Sequence, residues 1–314
     1  MATAAVAVLC TLALHPARLE PRIFRSVLLA ARPLDCRAPP TMTLVDTRGL
    51  ALAAVIPSAL GLWKREYTVS YGYGGAMLAS GCLSLANGAA SASPIALAHA
   101  LLYVCYGARL VLFLLYRELN IPYFNKVRDR IEERAPEGSR YKRLPFCLSC
   151  AFLYFCMAAP LKLTESVGVG AAGSSVKLLL AIAYGGFLVA SIGDLQKSVA
   201  KARGVGLVTS GLFARLRHPN YTGEAALWLA SALAGIAAAA SMLSLSTAAW
   251  ALASAIGCAG IQFVLAQATT GLERRQREKY AMLRSRTSNA DSVEYEYAYE
   301  AWLHRSWAGL TLKS

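Results

Sequence analysis

The sequence predicts an all-α fold, a polytopic membrane helix bundle with six to seven transmembrane helices. Its composition is 56% hydrophobic and only 16% charged, which is typical of a polytopic membrane protein and unusual for a soluble domain of this length. Apolar stretches long enough to approach or cross about 30 Å of hydrocarbon recur along the chain. They lie at residues 47–62, 71–90, 94–116, 144–161, 176–193, 223–243 and 246–268.

The distribution of basic residues predicts the orientation of these spans. The net charge is +14, and most of the 32 Lys and Arg residues lie in loops that alternation places on one side. Those segments are 63–70, 117–143, 194–222 and the tail after 268. The opposite loops hold only Lys162 and Lys177, so the positive-inside rule makes the basic side cytosolic. The charge therefore reflects topology, and without an aromatic-interleaved basic groove we expect no nucleic acid partner.

The amino-terminal segment, residues 1–40, is expected to be a targeting presequence. An apolar run at 2–14 is too short to span a bilayer, and an Arg-rich, acid-poor segment with several prolines follows it. This order resembles the two-part presequences of algal plastid proteins. A secretory signal and a disordered extension before a true start at Met42 are the alternatives. The protein is thus expected in the endoplasmic reticulum or a plastid membrane.

The most informative motif is a polar octet, Arg-His-Pro-Asn-Tyr-Thr-Gly-Glu at residues 217–224, which precedes a long apolar run. Pro219 suits the first turn of a helix, where its missing N–H would be unpaired in any case. Helical spacing then puts Asn220, Tyr221 and Glu224 on roughly one face. Such a set at the start of a membrane helix can bind an anionic, hydrogen-bonding ligand. A lipid-headgroup anchor or a helix cap is the alternative interpretation.

Two further polar clusters accompany the octet on the same side. Asp194, Lys197 and Lys201 have helical spacing at the end of the fifth span, and residues 273–280 follow the last span. Together the three clusters predict a site for a phosphorylated, aromatic cofactor, with cations on the phosphates and Asn, Asp and Glu on sugar or amide groups. Arg109, inside an apolar span, should either pair within the bundle, contact the ligand, or snorkel to the interface.

Other motifs predict no chemistry. The eight cysteines lie mostly in apolar spans, and the single C-x-x-C of Cys147 and Cys150 has no second pair or nearby histidine, so no metal site is expected. The G-x-G-x-x-G at 168–173 lacks the preceding strand and the later acidic residue of a Rossmann turn.

Three segments resemble the C-terminal half of the steroid 5-alpha-reductase-like superfamily, and most closely its DUF1295 membrane-reductase branch. They are GDLQK at 193–197, GLFARLRHPNYTGEAALW at 211–228 and LERRQREKY at 272–280. The likeness covers roughly residues 65 to 285. It is strong over 193–280 and weak upstream of 193. It implies a membrane reductase-like domain at 44–285 with a cofactor half at about 176–285, followed by a cytosolic-side tail at 286–314. It also implies that NADPH is bound in a cavity open to the cytosol, and that a carbon–carbon double bond of a lipid or steroid-like molecule is reduced.

The resemblance implies cofactor-binding residues in all three segments. They are Asp194, Gln196, Lys197, Arg217, His218, Asn220, Tyr221, Glu224, Arg275 and Tyr280. The family's proton-donating acid lies in the amino-terminal half, where no residue can be transferred. Tyr71 and Tyr73 are candidates on chemistry alone, because a phenol can donate to a carbonyl oxygen as hydride arrives at the beta carbon. The EYEYAYEAW segment at 294–302 has no counterpart.

Two other functions compete with the reductase. The His-Pro-x-Tyr-x-Gly core at 218–223 is similar to that of membrane isoprenylcysteine carboxyl methyltransferases, which use S-adenosylmethionine. A non-enzymatic protein that binds membrane lipids is the third possibility. The pairing of Asn220 with Glu224 and the GDLQK element favour the reductase. The sequence does not identify the lipid substrate.

Overall fold

The computed structural model describes residues 47–88, 93–120, 140–165, 173–240, 244–286 and 290–311. Side chains of residues 280–286 and 290–296 lie outside this description, as does the whole presequence predicted at 1–40. The described residues are 89% helical and form no strand. Their only β-type pairing is an isolated bridge between Leu216 and Trp307.

Eight principal helices make up the described part of the chain. They are α1 Thr47–Ser58, α2 Tyr73–Gly88, α3 Pro94–Asn120, α4 Leu144–Glu165, α5 Ser174–Ala202, α6 Pro219–Ala239, α7 Leu245–Arg286 and α8 Ala290–Arg305. A 3-10 turn, Ala59–Leu62, extends α1, and a π-helical turn, Thr68–Gly72, leads directly into α2. A further 3-10 turn, Gly211–Ala214, precedes the octet.

Five described helical segments are long and apolar enough to cross a membrane. They are Pro94–Asn120, Arg140–Glu165, Ser174–Ala202, Pro219–Ala239 and Leu245–Lys279. The predicted spans at 47–62 and 71–90 correspond to a shorter apolar helix, Thr47–Leu62, and to the 16-residue α2. Large apolar side chains are exposed on the outer faces of the bundle, for example Leu188 on α5 and Leu252 on α7. The predicted all-α membrane bundle is confirmed, and the chain is an integral, multi-pass membrane protein.

Close packing of α5 against α6 brings two of the predicted polar clusters together. Gly186 and Gly193 of α5 lie against the α6 backbone, where an added Cβ would come within 2.6 Å of the Gly223 oxygen and 2.9 Å of the Asn220 nitrogen, respectively. Contacts this short exclude any side chain. The residue after Gly193, Asp194, is therefore held beside Asn220.

The carboxyl-terminal segment packs onto the loop before the octet. The indole N–H of Trp302 donates to the Phe213 oxygen at 2.6 Å. Trp307 exchanges two backbone hydrogen bonds with this loop, donating to Arg215 and accepting from Arg217. Burial raises the pKa of the neighbouring Tyr299 to about 12. The EYEYAYEAW segment, which the sequence left unplaced, thus belongs to a helix that secures the start of the octet.

Candidate functional site

A cavity of about 590 Å³ opens at the basic ends of α3, α5 and α7. Its apolar wall comes from Leu110, Phe113 and Leu114 of α3 and Leu272 of α7. Its polar lining includes Glu66, Ser70, Tyr71, Arg117, Glu118, Asp194, Lys197, Lys201, Asn220, Tyr221, Glu224, Arg275, Gln276 and Lys279. A single cavity therefore unites parts of the three clusters that lie far apart in sequence.

Most of the predicted site residues line this cavity. They are Tyr71, Asp194, Lys197, Asn220, Tyr221, Glu224 and Arg275. Four others do not line it: Tyr73, Gln196, Arg217 and His218. The side chain of Tyr280 lies outside the described residues.

The floor of the cavity contains an ion pair that joins three helices. Asp194 accepts a hydrogen bond from Arg109 Nη2 at 2.6 Å and one from Asn220 Nδ2 at 3.1 Å. Arg109 Nη2 also donates to the Ala190 oxygen. Of the three alternatives that the sequence leaves open for Arg109, the structure shows pairing within the bundle. Arg109 Nη1 and Asn220 Oδ1 are buried and have no hydrogen-bond partner among the described residues.

Beyond this floor lies a cage of buried aromatic rings. The centroid of Tyr73 is 5.6 Å from that of Tyr106 and 5.4 Å from that of Tyr154, while Tyr106 and Trp228 are 4.9 Å apart. Both Tyr73 and Tyr106 lie close enough to Glu224 for an electrostatic interaction with its carboxyl group.

Three polar atoms of this cage lack a partner at hydrogen-bond distance and angle, although they lie near one another and Tyr106 lies near Glu224. In the described part of the chain, neither phenolic oxygen of Tyr73 and Tyr106 nor the indole nitrogen of Trp228 meets a partner at hydrogen-bond geometry. Leaving a buried polar group unpaired costs about 1–3 kcal/mol, so such atoms call for an explanation. A polar ligand group that reaches the cage would satisfy them.

Tyr71, the other proton-donor candidate, occupies a different environment at the cavity mouth. Its hydroxyl donates to Glu118 Oε2 at 2.7 Å, and the hydroxyl of Tyr67 donates to Glu118 Oε1 at 2.9 Å. A phenol that already donates to a carboxylate has no proton left for a substrate carbonyl. The geometry therefore favours the buried phenols over Tyr71.

Gln196 has a local structural contact instead of lining the cavity. Its side-chain oxygen accepts the backbone N–H of Leu212 at 3.1 Å. Next to it, Gly211 takes a positive φ of 61°, a conformation that favours glycine. Gln196 thus fixes the turn that returns the chain toward the octet.

Arg217 and His218 face α7 and bind Glu273. His218 Nε2 lies 3.0 Å from Glu273 Oε1, and Arg217 Nη1 lies 3.5 Å from Glu273 Oε2. The reason is the backbone: His218 precedes the helix with φ −133° and ψ 66°, and α6 begins at Pro219. The side chains of Arg217 and His218 consequently point in a different direction from that of Asn220.

Sequence reasoning missed Tyr106, Trp228 and Glu118. Tyr106 lies three residues before Arg109 on α3 and Trp228 four after Glu224 on α6, so helical spacing aligns each with a polar residue already singled out. That spacing was the available signal. Glu118 gave none, because its two phenol partners lie about fifty residues earlier in the chain.

A family model described as "Protein of unknown function (DUF1295)" matches residues 60–287. This range includes every residue that lines the 590 Å³ cavity and excludes α8 with the segment after it. No curated protein and no solved structure matches the chain. Because the match covers well over half of the 314 residues, the chain belongs to the DUF1295 family of steroid 5-alpha-reductase-like proteins.

Proposed function

We propose that this protein is an NADPH-dependent membrane reductase that reduces a carbon–carbon double bond of a lipid or steroid-like substrate. The carrying observation is the order of groups along the cavity. Cations surround its mouth, an unpaired donor and acceptor lie at its floor, and unpaired phenols lie beyond the floor.

The cations at the mouth suit a phosphorylated cofactor. Lys197, Lys201, Arg275 and Lys279 come from α5 and α7 and line the same opening. Lysine and arginine bind phosphate through charge-assisted hydrogen bonds. Lys201 also donates to the Val205 and Gly206 oxygens, so it braces the loop beside the opening. Lys197 makes no hydrogen bond of this kind within the described residues and is the better candidate for the extra phosphate that distinguishes NADPH from NADH.

The two unpaired atoms at the floor fit a carboxamide. A primary amide offers a carbonyl acceptor and an N–H donor. Arg109 Nη1 can donate and Asn220 Oδ1 can accept, and both side chains are held by the same Asp194 carboxylate. The nicotinamide amide presents this pair of groups. Binding of this amide would give both Arg109 Nη1 and Asn220 Oδ1 a hydrogen-bond partner.

The phenols beyond the floor suit the chemistry of a conjugated double bond. When bound, NADPH supplies the hydride. A phenol of Tyr73 or Tyr106 would donate a hydrogen bond to the substrate carbonyl and favour charge on its oxygen. The surrounding rings of Tyr154 and Trp228 exclude water from this region. Tyr73 and Tyr106 both lie near Glu224, but Tyr106 is the more completely buried of the two and is our first choice.

Ligand-dependent thermal stability tests the cofactor assignment. A ligand that binds only the native state raises the unfolding temperature, and at a given concentration the rise is larger for a ligand that binds more tightly. Detergent-solubilised protein should be stabilised more by NADPH than by NADH, and not by S-adenosylmethionine. Stabilisation by S-adenosylmethionine alone would instead favour the methyltransferase. Mass spectrometry of lipids that co-purify with the protein would then identify the substrate class.

A tyrosine pair tests the proton donor. Tyr106→Phe removes a phenol from the cage, and Tyr71→Phe removes the phenol that donates to Glu118. General-acid catalysis contributes roughly 10²–10⁴-fold to rate. We expect a loss of that order for Tyr106→Phe with unchanged NADPH affinity, and a much smaller loss for Tyr71→Phe. The reverse ranking would exclude Tyr106 as the donor.

The location of the protein can be tested separately from its chemistry. We propose that residues 1–40 direct it to the endoplasmic reticulum or a plastid membrane. A fluorescent fusion of these residues should enter one of these compartments, and deletion should redirect the protein without lowering its stability in detergent. A loss of stability on deletion would mean that the segment belongs to the fold.

A further inference from the structure

A second cavity, of about 780 Å³, lies along a different face of α7. We call it the interfacial groove, and its defining residues are Arg217, Phe263, Ala266, Arg274, Arg277 and Thr311. Helical spacing separates the two cavities. Residues 272, 275, 276 and 279 line the first, whereas 270, 273, 274 and 277 line the groove.

The groove changes from apolar to basic along the helix. Phe263, with an exposed fraction of 64%, and Ala266 line one end, while Arg274 and Arg277 line the other. Fourteen residues of helix cover about 21 Å, roughly the distance from a lipid headgroup well into its acyl chains. Both ends belong to Leu245–Lys279, a segment long and apolar enough to cross a membrane, and the end with the exposed Phe263 is the one suited to contact with hydrocarbon.

Hydrogen-bond donors are available at the basic end. Arg274 and Arg277 are exposed by 77% and 67%, and their carboxylate contacts are long, at 3.8 and 4.0 Å. On the facing wall, Arg217 Nε and Thr311 Oγ1 are buried without a hydrogen-bond partner in the part of the chain that is described. Thr311 is only 6% exposed. The groove thus has both loosely paired cations and buried polar atoms that a ligand can satisfy.

The charge balance favours an anion. Three guanidinium groups line the groove against two carboxylates, Glu273 and Glu278. Glu273 is already bound by His218 and Arg217, which lowers its influence on a ligand. Arginine is the residue best suited to the planar, two-point recognition of phosphate oxygens.

We propose that the interfacial groove binds an anionic membrane phospholipid. Its phosphate would contact Arg274, Arg277 and Arg217, and an acyl chain would lie along Phe263. The apolar end favours a lipid over a free phosphate, because a soluble anion has no acyl chain to bury against that surface. The proposal does not depend on the reductase assignment, because none of these side chains lines the first cavity.

A lipid titration with paired variants tests the proposal. Dioctanoyl-phosphatidylglycerol is added to detergent-solubilised protein, and the unfolding temperature is followed. Arg274→Gln with Arg277→Gln removes the exposed donors. The 4.0 Å contact of Arg277 with Glu273 is lost with them, while His218 and Arg217 remain bound to Glu273. Arg203→Gln with Arg215→Gln is the matched control, since both arginines are exposed on the same side and line neither cavity.

We expect the groove variant to lose roughly tenfold or more in lipid affinity, as for the removal of charge-assisted hydrogen bonds, while the control stays near wild type. Phe263→Ala should also weaken binding, because it removes the chain contact. Equal losses in both double variants, or stabilisation by inorganic phosphate as strong as by the lipid, would overturn the proposal. NADPH titration of the same variants should be unchanged, so failure of the cofactor assignment would be seen separately.

Discussion

The two halves of the octet face different parts of the molecule. Arg217 and His218 bind the buried Glu273 of α7, whereas Asn220 and Glu224 line the cavity between α3, α5 and α7. The backbone changes direction between them, because His218 is not helical and Pro219 begins α6. A contiguous polar motif in this protein is therefore not one site.

The two halves also differ in what their polar side chains bind, although Arg217 Nε and Glu273 Oε2 of the first half are themselves buried without a hydrogen-bond partner in the described chain. His218 and Glu273 bind each other within the protein. Asn220, in contrast, has its amide nitrogen bound to Asp194 and its oxygen without a partner in the described chain. A paired buried cluster stabilises a fold only if it stays intact, while an unpaired acceptor at a cavity is available to a ligand. We therefore expect the first half to control stability and the second to control nucleotide binding.

The largest effect is expected from His218→Ala. This change leaves Glu273 Oε1 buried without its 3.0 Å partner, and breaking a buried pair in this way costs roughly 3–5 kcal/mol. The free energy of unfolding in detergent should fall by about that amount, with NADPH affinity of the folded protein nearly unchanged. His304→Ala, at an exposed position on α8, is the control and should change neither the free energy of unfolding nor NADPH affinity. A selective loss of nucleotide affinity in His218→Ala would remove the distinction between the halves.

Sequence spacing was sufficient for one half of the octet and not for the other. The 3.6-residue period correctly aligned Asn220, Tyr221 and Glu224, since these contacts depend only on a helix that begins at Pro219. The position of His218 depends on Glu273, 55 residues later. A single sequence contains no spacing rule for such a tertiary contact.

The same limit applies to the whole fold. Apolar length identified the long helices, because crossing hydrocarbon requires it. The position of α8 could not be predicted, since it is fixed by the Trp302 indole and by backbone hydrogen bonds to the loop at residues 213–217. Backbone hydrogen bonds can be made by almost any residue type, so the sequence does not indicate them. The phenol cage was likewise hidden, because tyrosines in apolar spans are ordinary interfacial or core residues.

Asn220→Ala should have the largest effect on the cavity side of the comparison. It removes the unpaired oxygen at the floor and the hydrogen bond from Asn220 to Asp194. The hydrogen bond from Arg109 to Asp194 remains. Loss of a hydrogen bond near charged groups corresponds to about 1.5–3 kcal/mol, or roughly 10- to 100-fold in the NADPH dissociation constant. Asn120→Ala, at an exposed position, is the control. Unchanged affinity in Asn220→Ala together with a large loss of stability would place Asn220 with the structural half.

A similar division between neighbours occurs on α5, where Gln196 secures a loop and Lys197 lines the cavity. Lys197→Ala should weaken NADPH binding by roughly tenfold, as for one charge-assisted contact, and weaken NADH binding less. The ratio of the two dissociation constants is the measurement. Lys142→Ala removes an exposed basic residue that lines neither cavity and should leave the ratio unchanged. If NADPH and NADH affinity fell equally, Lys197 would have a general electrostatic role and would not recognise the extra phosphate.

The smallest effect is expected on α7, where Glu273 belongs to the buried cluster and Arg275, two residues later, lines the cavity. Arg275 is exposed, and its Nε donates to the Gly271 oxygen within the helix. An exposed charge in water contributes about 1 kcal/mol or less and is screened by salt. Arg275→Gln should therefore weaken NADPH binding about fivefold or less, and the difference from wild type should shrink as the salt concentration rises. A loss as large as that of Asn220→Ala, insensitive to salt, would mean that Arg275 closes onto the bound nucleotide and belongs to its direct contacts.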